Sequence, residues 1–187
     1  MVKIKTCVFI SGTGTNLRKL IQSSRSYNFP ININLVICNK IDAEGLKLAK
    51  KFNISYMIFN KDKSFSEIKI LNELKKRKIR LICLAGYMRI LSSKFINGFS
   101  GKIINIHPSL LPKFKGINTF SKVIKNKEKK TGCTVHYVNE HLDSGKIILK
   151  KSFSISSKDN EKSLKKKTQN LEYRAFSEAI FKVIIIF

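Results

Sequence analysis

The sequence has few acidic residues, no paired cysteines and no long apolar run. Its 187 residues include 12 aspartates and glutamates and four cysteines. Because no two cysteines form a C-x-x-C pair, neither a disulfide framework nor a zinc site is indicated, and we expect buried thiols in a reducing cytosol. The first apolar run is too short for a signal peptide, and the last one, residues 183–187, is too short to span a bilayer. These absences predict a cytoplasmic protein with no membrane partner.

Basic residues, in contrast, are abundant, and the net charge is +25. A charge of this size ordinarily suggests nucleic-acid binding. However, only 6 of the 37 basic residues are arginines, the side chain that base-reading and phosphate-forking sites favour. Lysine, isoleucine and asparagine together provide 73 of the 187 residues, which indicates compositional drift. We therefore expect no specific nucleic-acid partner. A basic, non-catalytic nucleic-acid-binding protein stays the alternative from another class.

Strands and helices alternate along the first half of the chain. The apolar pattern predicts strands over residues 2–10, 33–38, 54–59 and 81–85, and helices that start near residues 17, 42 and 66, with Asp42 as a helix cap. In the second half it predicts strands over 133–138 and 146–155 and a helix from about residue 160 that carries Leu164, Leu171 and Phe176. The fold class is therefore α/β, a mostly parallel twisted sheet with helices on both faces and antiparallel strands appended in the C-terminal half.

Residues 102–112 (KIINIHPSLLP) read as an apolar strand that ends at Pro108. Side chains alternate along a strand, so Asn105 and His107 project to the same side near its C-terminal end, where open α/β sheets bind ligands. An amide that donates to an oxyanion, next to an imidazole that manages a proton, suits chemistry at a carbonyl carbon. The alternative is a strand end with a satisfied polar pair.

A glycine-containing loop, residues 11–16 (SGTGTN), joins the first predicted strand to the first helix. Its glycines allow close backbone approach, and the helix N-terminus offers unpaired N–H groups to an anion. Leu17 stands where a dinucleotide fingerprint needs its third glycine, and the ending of an ATP loop is missing. The loop predicts a site for a single phosphate near Gly14, Thr15 and Asn16. A ligand-free glycine turn is the alternative.

Four segments, taken in order, resemble the folate-dependent formyltransferases: residues 11–16, 84–91 (LAGYMRIL), 105–112 (NIHPSLLP) and 142–145 (LDSG). The resemblance covers essentially the whole chain. It implies one Rossmann-like domain over residues 1–187, with phosphate binding in the N-terminal half and folate binding and catalysis in the C-terminal half. It also implies transfer of a formyl group from the co-substrate 10-formyltetrahydrofolate to the amine of glycinamide ribonucleotide in purine synthesis, without a metal. The oligomeric state stays open between monomer and homodimer.

The resemblance also implies roles for particular residues. The catalytic residues would be Asn105, His107 and Asp143, with Asp143 raising the pKa of His107 and accepting the amine's proton. A turn-forming role is the alternative for Asp143. The residues implied in substrate binding are Gly14, Thr15, Asn16, Leu17, Arg18 and Glu172. Those implied in folate binding are Lys63, Met88, Arg89, Ile90, Leu91, Asn139, Glu140, His141 and Leu142. We expect His136 to support the site and His141 to be an exposed loop residue.

The chain departs from the family pattern at four positions. Lys115 stands where a proline or a small residue is usual, Asn118 and Phe120 replace histidines, and Tyr173 follows Glu172 where histidine is usual. A methionyl-tRNA formyltransferase would share the Asn, His and Asp arrangement, but it carries an RNA-binding domain for which we expect no room here. A formyltetrahydrofolate deformylase normally has an N-terminal regulatory domain, which we do not expect before Met1.

Overall fold

The computed structural model describes residues 2–59 and 67–185. Contacts between residues divide the chain into two compact units, Met1–Asn105 and Ile106–Phe187. The first unit alternates strands and helices, as predicted. Its elements are β1 (Ile4–Ile10), α1 (Thr15–Ser24), β2 (Ile31–Cys38), α2 (Glu44–Lys51), β3 (Tyr56–Ile58), α3 (Glu67–Lys76), β4 (Leu81–Leu84), α4 (Ser93–Gly98) and the start of β5 (Lys102–His107).

All the strand pairs of the first unit are parallel, and their order is β3-β2-β1-β4-β5. The four residues of β4 are buried, as are the last five of β1, so these strands read as continuous apolar runs. The strand order reverses between β1 and β4, and ligands of such sheets bind beyond the carboxyl ends of the strands at this point. The loops after β1 and β4 meet there, because the Met88 N–H donates a hydrogen bond to Ser11 Oγ over 2.8 Å.

The second unit contains the end of β5 and a β-hairpin covered by a long helix. Its elements are α5 (Thr119–Lys125), β6 (Lys130–Tyr137), β7 (Ile147–Ser154) and α6 (Glu161–Ile184). Strands β6 and β7 pair antiparallel, and the register shifts between Val135 and His136. Helix α6 begins at a capping box formed by Asn160 and Ser163, and it packs on both strands of the hairpin.

The predicted fold class is confirmed: strands alternate with helices and are parallel in the first unit, and an antiparallel pair follows in the second. Two details were wrong or missing. Ala43, not Asp42, is the N-cap of α2, and no side chain caps that helix. The short helices α4 and α5 were not predicted, because six or seven residues are too few to show a helical period.

Helix α6 carries an unexpected polar stripe on its buried side. Leu164 and Phe176 are buried as predicted, whereas Leu171 is only half-buried. Thr168 and Glu172 lie on the buried face instead. The helical period places them four residues apart on the same side as Leu164 and Phe176. The helix therefore presents a carboxylate to the hairpin and not only apolar side chains.

All four cysteines are buried and free, as the sequence predicted. The thiol of Cys83, on β4, is fully buried, and this burial raises its pKa well above the ordinary value. Among residues 2–59 and 67–185, no helix combines the length and apolar character that crossing a membrane requires.

Candidate active site

The end of strand β5 places two of the predicted catalytic side chains. Asn105 and His107 are two residues apart in this strand, so they project to the same side of it. Asn105 is half-buried and His107 is 5% exposed. Pro108 follows at once and cannot extend the ladder, so the strand ends with the imidazole at its tip.

Both ring nitrogens of His107 face groups that accept hydrogen bonds. Nδ1 lies 3.2 Å from Asp143 Oδ2, and Nε2 lies 2.9 Å from the carbonyl oxygen of Phe114. A neutral imidazole carries one proton, so it can donate to only one of these acceptors at a time. The doubly protonated ring donates to both. The surroundings of His107 can therefore accept hydrogen bonds from both nitrogens of the protonated ring.

Burial and charge act in opposite directions on His107. Burial lowers the pKa of His107, while the Asp143 carboxylate and the hydrogen bond to the Phe114 carbonyl raise it. Burial is the larger effect, so the pKa lies below the ordinary histidine value. The effect of Asp143 has the predicted sign, but the net direction is opposite to what proximity to a carboxylate alone would give. Above that pKa the ring is neutral and can accept a proton.

The Gly116 N–H and the rings of His107 and His136 surround the carboxylate of Asp143. Oδ2 accepts a hydrogen bond of 2.8 Å from the Gly116 N–H and faces His107, while Oδ1 lies 3.6 Å from His136 Nε2. Burial would raise the pKa of Asp143, but the bonds from His136 and Gly116 and the charge of His107 together lower it. Its side chain is only 7% exposed. The residue is therefore a buried carboxylate that stays ionised at neutral pH.

His136 contacts the carboxylate from the side opposite His107. Its Nδ1 lies 2.8 Å from the carbonyl oxygen of Tyr137, and its Nε2 lies 3.6 Å from Asp143 Oδ1. Both oxygens accept, so the ring donates to both only when each nitrogen carries a proton. The register shift of the hairpin falls at this residue. Bulges re-aim side chains next to functional sites, and this one accounts for the orientation of a ring that sequence reasoning expected only to support the site.

The segments around the carboxylate have unusual backbone geometry. Phe114, Gly116, Asn118 and Asp143 have φ of +57°, +75°, +59° and +48°. For the residues with a side chain, such conformations persist only where surrounding contacts over-determine them, and they cluster at functional sites. Sequence reasoning missed the Phe114 carbonyl and the Gly116 N–H, because backbone partners have no signature in the residue types. The glycine at 116 was the one visible signal.

The glycine loop leads into the N-terminus of α1. Gly14 is the N-cap residue of α1 with φ of +72°. The Arg18 N–H donates the first hydrogen bond of the helix, to the Gly14 carbonyl, so the N–H groups before Arg18 have no acceptor within the helix. Leu17 is fully buried, so it could meet a ligand only through its backbone, whereas Arg18 is exposed.

Gly45, in the first turn of α2, shapes the same loop and was not predicted. Its N–H donates to the carbonyl of Gly12 over 3.0 Å. A Cβ on Gly45 would lie 2.5 Å from Ile10 Cδ1 and 3.2 Å from the Gly14 Cα. The loop can follow its path because this position has no side chain.

The predicted folate-binding segment of the first unit has alternating exposure. Met88 and Ile90 are 70% and 74% exposed, whereas Leu91 is buried. The guanidinium of Arg89 lies 5.2 Å from the ring centre of Phe59, a cation–π contact. Lys63 lies outside the described residues.

The predicted folate-binding residues of the second unit lie in the loop between β6 and β7. Asn139, Glu140, His141 and Leu142 are all exposed, and the His141 N–H donates to Asn139 Oδ1, which forms a local turn. Glu172 is elsewhere, 8% exposed on α6. Burial raises the pKa of the Cys133 thiol to about 12, and the charge of Glu172 adds to this. Glu172 therefore faces β6.

The geometry places an imidazole at a strand end in contact with a buried carboxylate in a turn. In the described part of the chain, no three histidine, cysteine, aspartate or glutamate side chains are arranged to hold a metal ion. The family model described as formyl transferase matches residues 4–180. The chain therefore belongs to the formyl transferase family, and the resemblance inferred from its motifs is confirmed.

Within this family, the chain is similar to proteins with more specific names. The chain is 41% identical to the phosphoribosylglycinamide formyltransferase of Haemophilus influenzae, over 92% of this chain and 83% of that protein. The crystal structure of phosphoribosylglycinamide formyltransferase from Bacillus halodurans matches with a TM-score of 0.91 at 34% identity, over 96% of this chain and 95% of that one. The trifunctional purine biosynthetic protein adenosine-3 of Gallus gallus is 40% identical over 95% of this chain. The chain spans only 18% of that larger protein.

The packing of Gly45 gives a stability test. An alanine inside a helix is ordinarily about 1 kcal/mol more favourable than a glycine. We expect Gly45→Ala instead to lower the free energy of unfolding by about 1–3 kcal/mol, because its Cβ would overlap Ile10 and crowd the loop. Gly12→Ala is the matched control, since a Cβ there meets nothing within 4 Å. Chemical denaturation measures both, and a stabilised Gly45→Ala variant would contradict this packing.

The coupling between His107 and Asp143 can be measured directly. Asp143→Asn keeps the shape of the side chain and removes the charge that raises the pKa of His107. We expect that pKa to fall further below the ordinary value, because burial is then less opposed. NMR titration of the ring nitrogens reports it. Glu178→Gln, which removes an exposed carboxylate paired with Lys151, is the control. An unchanged or higher pKa in Asp143→Asn would show that the two groups are not coupled.

Proposed function

We propose that this protein transfers a formyl group from 10-formyltetrahydrofolate to the amine of glycinamide ribonucleotide in purine biosynthesis. The observation that carries the proposal is the buried pair of His107 and Asp143, with Asn105 two residues before the histidine on the same strand. Such a set combines a donor for an oxyanion with a coupled acid and base. Membership of the formyl transferase family and the names of the relatives support the same reaction.

The reaction needs charge stabilisation at one oxygen and the movement of one proton. The substrate amine attacks the formyl carbon and forms a C–N bond, and the formyl oxygen becomes an oxyanion. The oxyanion then collapses, the bond from the carbon to N10 of the folate breaks, and N10 takes a proton while the former amine loses one. In this proposal the side-chain amide of Asn105 donates to the oxyanion.

His107 would supply the second donor and the proton for N10. Its Nε2 points at a carbonyl oxygen, that of Phe114, so the ring is already placed to donate to an acceptor of this kind. For the proton to reach the substrate, the Phe114 carbonyl must release the ring. Because burial keeps the pKa of His107 low, its proton is given up readily once the ring is charged.

Asp143 would accept the proton that the amine loses. The residue is ionised at neutral pH, since the hydrogen bonds from His136 and Gly116 and the charge of His107 lower its pKa. Its charge also favours the protonated form of His107. His136 holds Oδ1 from the other side, so the carboxylate cannot rotate freely.

The remaining predicted residues would bind the two substrates. The N-terminus of α1, with Gly14, Thr15 and Asn16, would take the phosphate of the ribonucleotide, and Arg18 is exposed near it in sequence. Glu172 would meet the substrate amine or ribose from α6. The exposed side chains of Met88 and Ile90, with the loop that contains Asn139 and Leu142, would contact the folate. Four buried free thiols suit a reducing cytoplasm.

The net charge of +25 favours one competing substrate, an initiator methionyl-tRNA. A transfer assay separates the two candidates. We expect release of tetrahydrofolate from 10-formyltetrahydrofolate when glycinamide ribonucleotide is present and none when methionyl-tRNA replaces it. Formylation of the tRNA, or no transfer to either acceptor, would overturn the proposal.

Asn105→Ala tests the assigned chemistry in the same assay. We expect turnover to fall on the order of a hundredfold, because the variant lacks one oxyanion donor. Asn170→Ala, at an exposed position of α6, is the control and should keep normal turnover. Near-normal turnover in Asn105→Ala would show that this amide does not stabilise the oxyanion.

A further inference from the structure

One of the four departures from the family pattern makes a contact next to the catalytic carboxylate. Lys115 Nζ donates a hydrogen bond to Ser144 Oγ over 2.5 Å, and the same hydroxyl donates to the carbonyl of Leu142. Ser144 directly follows Asp143. A proline or a small residue at 115 could not make this contact, since only a long side chain with a donor at its end reaches the hydroxyl.

A second hydrogen bond joins the same two segments next to the contact between Lys115 and Ser144. The N–H of Gly116, the next residue, donates to Asp143 Oδ2. Two neighbouring residues of the 113–118 loop are thus tied to two neighbouring residues of the turn at 143–144. A further contact ties this loop to α5: Lys122 Nζ donates to the carbonyl of Lys115 over 3.3 Å. We call the pair of ties the loop–turn clamp.

The backbone of Asp143 needs such support. The backbone of Asp143 has φ of +48°, a strained conformation for a residue with a side chain. The residue keeps this conformation only if its contacts outweigh the strain. In the proposed reaction the Phe114 carbonyl must leave His107, which removes one of the contacts that fix the loop. The loop–turn clamp does not include that carbonyl, so it can stay closed while the carbonyl moves.

We propose that Lys115 is a positioning residue, which keeps the Asp143 carboxylate against His107 by tying the 113–118 loop to Ser144. The inference rests on the proposed formyl transfer. Lys115 acts through the turn and does not touch the reacting atoms. The charged groups that act on the pKa of His107 are Asp143, His136 and Lys122, and Lys115 is not among them, so removing the Lys115 ammonium does not act on the ring directly. A change at His107 would therefore report the position of Asp143.

A set of variants tests the clamp through turnover. Lys115→Met keeps the length of the side chain and removes the donor, and we expect kcat to fall roughly three- to tenfold with little change in either KM. Ser144→Ala should lower kcat by a similar factor, and the double variant should be no slower than the slower single variant, since both remove one contact. Lys115→Arg should restore most of the turnover. Lys113→Met is the matched control. Lys113 lies in the same loop as Lys115, but it pairs with Glu128 and is not part of the clamp.

Three results would overturn the proposal. If Lys115→Met raises KM and leaves kcat unchanged, the lysine binds a substrate. If it raises kcat, the lysine restrains the loop and so opposes the release of His107. Independent effects of Lys115→Met and Ser144→Ala, multiplying in the double variant, would also contradict a shared contact.

A second readout does not depend on the proposed substrates. In the free protein, NMR titration should show a lower pKa for His107 in Lys115→Met than in the wild type, because Asp143 spends less time beside the ring. Lys113→Met should titrate as the wild type does. If the wild type transfers no formyl group but this shift is present, the proposed function fails and the clamp stands. If transfer is normal and the pKa of His107 does not move, the clamp fails and the function stands.

Discussion

The buried carboxylate of Asp143 is the constraint on which the arrangement of the second unit depends. A carboxylate with a side chain 7% exposed is strongly destabilising unless several donors surround it. Here the donors come from three places: the Gly116 N–H in the loop after β5, His107 at the strand end and His136 at the hairpin bulge. Satisfying one charged group therefore fixes the relative positions of a strand, a loop and a hairpin.

The same arrangement sets the acid–base properties of the site. Burial disfavours charge on His107, and the neighbouring carboxylate favours it; burial is the larger effect, so the pKa lies below the ordinary histidine value. On Asp143 the donors outweigh burial and the group stays ionised. Both pKa values are lowered, and the two groups are in direct contact, so they form a coupled pair of a kind that is typical of functional sites.

Most of the fold and the central pair could be predicted from the sequence. The buried parallel strands appear as apolar runs, as at β4, and the NIHP and LDSG segments matched a family pattern that places His107 and Asp143 together. Backbone partners such as the Phe114 carbonyl could not be predicted, because every residue type carries the same carbonyl. The net direction of the shift in the pKa of His107 could not be predicted either, since the sequence shows the neighbouring charge but not the extent of burial. Gly45 looked like an ordinary helical residue until its contact with the loop was visible.

The scarcity of acidic residues has a structural consequence beyond the net charge. With 12 carboxylate side chains for 37 lysines and arginines, most ammonium groups cannot form ion pairs and must use water or neutral acceptors. Lys3 donates to the carbonyls of Ser24 and Ser26, and Lys122 donates to the carbonyl of Lys115. Such bonds tie loops to helices without a partner charge, and salt screens them less than it screens exposed ion pairs. A chain that drifts toward lysine can therefore gain loop contacts where a hydroxyl or a carbonyl is in reach. The contact of Lys115 with Ser144 is an example, and it adjoins the buried carboxylate of Asp143.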